Sequence, residues 1–363
     1  MRTPFYNPLL AYEENFDNGP FGEFADGKVF SNTGEPKHKF LGYKVYSPFG
    51  IAAGPLLNSK FVKAAFDKGF DVVCYKTQRS TFFPCNPFPN VLFVEVDGDL
   101  TVKKAEESLI GSQKTKKNLD RLTITNSFGN PSRGPKFWQS DMKKAVKMAK
   151  KGQLLIASVV GTIKTGESEK DYYEDFAKTA QLAKKSGAKV VEVNLSCPNV
   201  TTEGVVCYTP GAVLEICRLT REKIGQTPLL AKIGYFLPKQ QLLLEKIIKS
   251  ILPFVSGISA INTLAAPVVD KQGNQALPGE NRLKSGICGA AIKWAGMDMV
   301  RRLVALRKKL KADFAIIGVG GVMFPNDFLD YRKAGADLVM SATAAMWNPN
   351  LAVEIKQLYQ SRV

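Results

Sequence analysis

Short apolar runs recur along the chain, each closed by Gly, Ser, Thr or Asn, and most are followed by a stretch with helical spacing of apolar residues. The runs are YSPFGIAAG (46–54), FDVVCYKT (70–77), LLIASVVG (154–161), AKVVEVNLS (188–196), PLLAKIG (228–234), ISAINT (258–263), FAIIGVGG (314–321) and ADLVMSAT (336–343). A strand that is apolar at successive positions is buried on both faces, as a parallel strand covered by helices is. Between the runs, residues 167–186 place Tyr173, Phe176, Ala177, Ala180 and Ala183 at a three-to-four spacing and stop at Gly187. Residues 294–310 put Met299, Leu303, Leu306 and Leu310 on one helical face and Arg301, Arg302, Lys308 and Lys309 elsewhere. Eight such strands alternating with helices predict an α/β fold, a (β/α)8 TIM barrel, in preference to a doubly wound open sheet.

Two segments fall outside the repeat. HKFLGYKVYSPFG (38–50) reads as a hairpin around Leu41-Gly42, suited to plugging the bottom of the barrel. Residues 79–134 form a long insertion after the second strand, which puts it on the face where barrel active sites are built. The expected organisation is an N-terminal extension over 1–37 and a single catalytic barrel domain over 38–363.

With 45% hydrophobic residues and no continuous apolar stretch of membrane-spanning length, the 363-residue chain reads as soluble and cytoplasmic, with no membrane partner. The formal charge of +17 comes from short bursts such as KKAVKMAKK (143–151) and RKKLK (307–311), which read as solvated helix faces. A field that attracts an anionic substrate or a cofactor phosphate is the second reading of that charge, and a polyanion-binding protein the third. No nucleic-acid signature accompanies it, so no nucleic-acid partner is expected. The six cysteines (74, 85, 197, 207, 217, 288) contain no C-x-x-C pair, and His38 is the single histidine. A metal site and a His-dependent triad are therefore not expected.

Catalytic groups of a barrel collect at the C-terminal ends of its strands. There the chain supplies Ala53, Lys76-Thr77, Asn194 to Asn199, Lys232, Asn262-Thr263, Gly320-Gly321 and Ala342-Thr343. GVGG (318–321) and SAT (341–343) close the last two strands, where barrels commonly bind phosphate through backbone N–H groups. Tight turns without a ligand are the plain alternative. Lys76 and Lys232 sit within apolar strands, where a lysine is costly unless it meets an anion. They suit the pyrimidine edge of a flavin, the Schiff base of an aldolase, or a side chain that reaches solvent. Cys197 is either a packed core thiol or, among Asn194, Ser196, Pro198 and Asn199, a loop thiol at the mouth; with no His partner, proton abstraction fits it better than nucleophilic attack.

Taken in order, FGIAAG (49–54), YKT (75–77), NPFPN (86–90), NSFGN (126–130), NLSCPN (194–199), AKIG (231–234), INT (261–263), SGICGAAIK (285–293), GVGG and SAT resemble the motifs of the dihydroorotate dehydrogenases, FMN-containing (β/α)8 barrels, over residues 38–360. The resemblance implies that Lys76, Asn126, Asn194, Asn199, Asn262 and Thr263 contact a pyrimidine substrate. It also implies that backbone groups of Phe128, Gly129 and Asn130 hold the substrate's carboxylate. FMN would be held by Ala53, Lys76, Thr77, Asn194, Lys232, Ile261, Gly286, Gly289, Gly320, Gly321, Ala342 and Thr343. Cys197 would be the base that takes a proton from C5 while C6 delivers hydride to flavin N5, in the oxidation of dihydroorotate to orotate in pyrimidine biosynthesis. Cysteine rather than serine at 197 resembles the soluble class 1 enzymes, whose common assembly is a homodimer. The loop VTTEGVVCYTPG (200–211) is similar in length to the branch that pairs with an iron–sulfur flavoprotein subunit. NLSC and Cys207 are also similar to the pyrimidine-reducing domain of dihydropyrimidine dehydrogenase, which makes a flavin-dependent dehydrogenase of uracil-type dihydropyrimidines the alternative. NSFGN matches the carboxylate loop of the dihydroorotate enzymes, and dihydropyrimidines have no carboxylate to bind.

Overall fold

The computed structural model describes residues 3–114, 118–196 and 206–360. Eight parallel strands close into a barrel in chain order: β1 (Phe49–Ile51), β2 (Val72–Gln78), β3 (Leu154–Val159), β4 (Val190–Asn194), β5 (Leu229–Ile233), β6 (Gly257–Ala260), β7 (Ala315–Val319) and β8 (Leu338–Ser341). β8 returns to β1, with Val339 opposite Phe49. Each strand overlaps one of the apolar runs. Alternate residues such as Val72, Cys74, Ile156, Val190, Leu230 and Met340 fill the interior, while Val73, Tyr75, Leu155, Val191 and Val339 pack outward against the helices. The chain is apolar at both sets of positions because both faces are dry. Each fully buried aliphatic side chain contributes roughly 1.5–3 kcal/mol.

The helices begin and end on identifiable signals. Ser168 accepts from the N–H of Asp171, and Asp171 Oδ2 accepts from the N–H of Ser168 at 2.9 Å, a capping box that starts the helix Glu169–Lys185. The chain leaves that helix through Gly187 at φ 95°, a left-handed position where a Cβ would be strained. Lys293–Lys309 buries Met299, Leu303 and Leu306, while Lys308 and Lys309 are exposed. Lys143, Lys144 and Lys147 of the helix Pro135–Met148 are likewise exposed, so these basic bursts do lie on solvated faces.

His38–Phe40 pairs antiparallel with Tyr43–Val45, and Phe40 and Val45 join the interior cluster, so the hairpin closes the lower end of the barrel. The insertion is more elaborate than the sequence suggests. Its strands Phe93–Val94, Leu109–Ser112 and Thr123–Asn126 form a second, smaller closed sheet with Leu264–Val269 and Lys284–Gly289, which follow β6. Two barrel connections thus interlock above the mouth. Near the N-terminus, Phe5 packs edge-on to Phe24 at 4.6 Å and to Phe61 at 5.9 Å, and its N–H donates to the carbonyl of Met346 at 2.9 Å, just beyond β8.

Candidate active site

The strand ends converge on a trough at the C-terminal mouth. One hollow of about 420 Å³ is lined by Ala53, Gly54, Lys76, Thr77, Asn126, Gly129, Asn130, Asn194, Lys232 and Asn262. It shares residues with a more apolar hollow of about 600 Å³, whose walls include Tyr6, Phe128, Thr263, Cys288, Thr343 and Met346. That hollow runs into a third, of about 290 Å³, between Gly289, Gly320, Gly321, Ala342 and Thr343.

Local structure explains why these side chains face inward. Cys74 points into the barrel, so strand alternation turns Lys76 to the same side one step higher, where it is 3% exposed. Asn194, the last residue of β4, stands opposite Lys232, one residue before the end of β5. Asn194 Oδ1 accepts from the N–H of Ser196 and from Asn262 Nδ2, both at 3.3 Å, and Asn262 Nδ2 also donates to the Ser196 carbonyl. Thr77 and Ser158 share a hydroxyl hydrogen bond at 3.0 Å. These contacts fix the amides of Asn194 and Asn262 and the Thr77 hydroxyl before any ligand enters.

The loop 126–130 forms the far wall. The Ser127 carbonyl accepts from Asn86 Nδ2 at 3.3 Å and Asn90 Nδ2 at 3.2 Å, so the NPFPN block is a scaffold for NSFGN. Gly129 has φ 78°, and a Cβ there would lie 2.7 Å from Asn86 Oδ1, so only glycine fits. Phe128 is flanked by Tyr6 at 5.5 Å and Tyr12 at 6.0 Å, and Lys76 Nζ lies 5.6 Å from its ring centroid. Arg79, fully buried, donates to the carbonyls of Asn130 at 3.1 Å and Gly161 at 2.7 Å.

Groups left without partners mark what the trough can hold. Among the described residues the N–H groups of Phe128 and Gly129 donate to no protein acceptor, Thr263 Oγ1 is buried without a hydrogen bond, and Lys232, 3% exposed, forms no ion pair. Bare N–H groups in a turned backbone suit an anion, and a buried lysine suits a group that carries negative charge. The donor set therefore fits the electron-rich edge of a flavin against Lys232. It also fits a planar polar ligand beside Asn126, Asn194 and Asn262. Burial pushes the Cys288 thiol up to about 11 and that of Cys207 to about 12, so neither is ionised near neutrality.

Of the residues expected from sequence, Ala53, Lys76, Thr77, Asn126, Phe128, Gly129, Asn130, Asn194, Lys232, Asn262, Thr263, Gly289, Gly320, Gly321, Ala342 and Thr343 line the trough. Ile261 and Gly286 do not line it: Ile261 is fully buried behind Gly320, and Gly286 pairs with Asn126 and Ala265 inside the small sheet. Cys197 and Asn199 lie outside the described residues. Tyr6, Val91, Cys288 and Met346 also line the trough. Cys288 falls within the SGICGAAIK block, on the strand Lys284–Gly289, whereas Tyr6 from the N-terminal segment, Val91 from the insertion and Met346 from the helix Thr343–Trp347 carry no sequence signal.

A closed parallel barrel with a polar trough at its C-terminal mouth has the architecture of a (β/α)8 enzyme. The chain belongs to the dihydroorotate dehydrogenase family, whose model matches residues 111–362. It is 38% identical to a dihydroorotate dehydrogenase of Dictyostelium discoideum over 98% of this chain and 97% of that one. It is 31% identical to the catalytic subunit of a dihydroorotate dehydrogenase B (NAD(+)) of Geotalea uraniireducens over 53% of this chain and 59% of that one. A crystal structure of DHODH in complex with ferulenol from Eimeria tenella shares the fold, with a TM-score of 0.69 at 18% identity over 94% of this chain and 90% of that one. No helix among the described residues is long and apolar enough to cross a membrane.

Proposed function

We propose that the chain oxidises dihydroorotate to orotate, with FMN in the trough and Cys197 as base, in the manner of a class 1 enzyme. One observation carries the reading: the unpartnered N–H groups of Phe128 and Gly129 stand beside a hollow ringed by Asn126, Asn194 and Asn262. Amides read the carbonyl and N–H edges of a pyrimidine, and the bare N–H pair with Asn130 receives its carboxylate. A neutral dihydropyrimidine leaves that pair unsatisfied, which disfavours it.

Asn126, Asn194, Asn199, Asn262 and Thr263 orient the ring, with Lys76 at its edge. Ala53, Thr77, Lys76, Asn194 and Lys232 hold the flavin ring side, and Gly289, Gly320, Gly321, Ala342 and Thr343 the phosphate, with Ile261 and Gly286 behind the wall rather than in contact. When bound, the flavin supplies the acceptor for the hydride that leaves C6. Cys197, next after Ser196 in sequence, takes the proton from C5, and the charges of Lys76 and Lys232 favour the negative charge that accumulates beside them.

Anaerobic mixing tests the assignment. The purified protein is expected to be yellow and to bleach with dihydroorotate but not with dihydrouracil. Bleaching by dihydrouracil alone would overturn the substrate, and a colourless protein that takes up no FMN would overturn the flavin.

A further inference from the structure

Arg282 belongs to none of the motifs, yet it stands directly behind the loop that faces the ligand. It follows Asn281, which has φ 56°, in the connection after β6, and is 6% exposed. Its Nη2 donates to the Ser127 carbonyl and Oγ, both at 2.9 Å, and to the Pro89 carbonyl at 3.3 Å. Nη1 donates to the carbonyls of Pro87, at 2.8 Å, and Pro278, and Nε to Ser127 Oγ at 3.2 Å. Gln275 Nε2 braces the same turn through the carbonyls of Leu277 and Gly279, at 2.6 and 2.8 Å.

All of these acceptors are neutral, and among the described residues Arg282 forms no ion pair. Desolvation lowers its pKa, and no carboxylate acts against that. A buried guanidinium without a counter-ion is costly, and the cost is offset when an anion arrives nearby. Ser127 lies between Asn126 and Phe128, so the nearest wall of the trough is the anion-receiving loop itself.

We infer that Arg282 is a positioning residue that fixes Ser127 and sets a positive field behind residues 126–130, whose counter-charge is the carboxylate of the bound pyrimidine. The inference rests on the substrate class proposed above. It is tested by titrating the flavin absorbance of the holoenzyme with orotate and with uracil, which lacks the carboxylate, in the parent, R282Q and R282K. The expected result is that R282Q loses about tenfold or more in orotate affinity with uracil nearly unchanged, the mark of a lost charge–charge interaction. R282K, which keeps the charge with fewer donors, should hold the orotate-to-uracil ratio within about threefold of the parent while melting earlier. Orotate binding unaltered in R282Q, or an equal loss for both ligands, would overturn the inference. If R282Q does not fold, R282K decides alone, and a collapsed ratio there overturns it. A parent protein that binds uracil but not orotate would instead sink the proposed substrate, a result distinguishable from the failure of Arg282.

Discussion

Burial sets the character of the Cys207 and Cys288 thiols at the mouth. Cys207 is fully buried, its N–H donates to the Leu195 carbonyl at 2.9 Å, and burial outweighs the Ser196 hydrogen bond to push its pKa to about 12. A thiol held in that way is a packing group. We therefore expect Cys197→Ala to slow flavin reduction by dihydroorotate about 10²-fold or more, the usual reach of a general base, while Cys207→Ala stays within about threefold. Stopped-flow absorbance measures both, and a slow Cys207→Ala with a normal Cys197→Ala would move the base. The strand-end residues Lys76, Asn194 and Lys232 were legible in the sequence because each interrupts an otherwise apolar run. Arg282 was not, because its role arises from contacts with Ser127, 155 positions away in the chain.

Among the elements, the barrel strands were readable because continuous burial writes continuous apolar runs. The small sheet above the mouth was not: Leu264–Val269 contains Pro267, alternates in burial, and acquires its partners from Leu109–Ser112 and Lys284–Gly289. The seven-residue helix Tyr12–Asn18 also escapes periodicity, since it is held by Asn15, whose side chain accepts from the Asn7 N–H at 2.7 Å and donates to the Asn7, Leu10 and Ala11 carbonyls. Phe5 ties this N-terminal segment to Phe24, Phe61 and Met346. Phe5→Ala is expected to cost about 3–5 kcal/mol, read as a lower urea midpoint, because the surrounding rings leave a cavity that cannot collapse. Because Tyr6 lines the trough, the same variant should also loosen FMN; an unchanged midpoint would show that the segment packs independently of the barrel.

For the whole molecule, the decisive tie lies at the end of the barrel opposite the trough. Lys356, from the helix Leu351–Gln360, donates to Asp71 at 2.9 Å, to the Gly69 carbonyl at 2.6 Å and to Asn32 Oδ1 at 2.7 Å, and Ser47 Oγ donates to Asp71 at 2.6 Å. One ion pair, fully buried at the carboxylate, thus joins the N-terminal extension, the segment between hairpin and β1, the start of β2 and the C-terminal helix. Burial raises the Asp71 pKa, with Lys356 and Ser47 acting against it. Lys356→Met removes the cation and leaves the carboxylate buried, so a loss of about 3–5 kcal/mol is expected at neutral pH. Without Lys356 the folded-state pKa of Asp71 rises further above its unfolded value, so the folded state takes up a proton that the unfolded state has lost. The penalty is therefore absent below the unfolded pKa, where both states are protonated, grows as pH rises from there, and is complete once pH has passed the folded pKa. Chemical denaturation at pH 5 and pH 7.5 should show the variant closer to the parent at the lower pH, and Asp71→Asn added to Lys356→Met should remove most of the difference. A gap between variant and parent that is the same at both pH values would mean that Asp71 stays charged without its lysine, relieved by water reaching the base of the barrel.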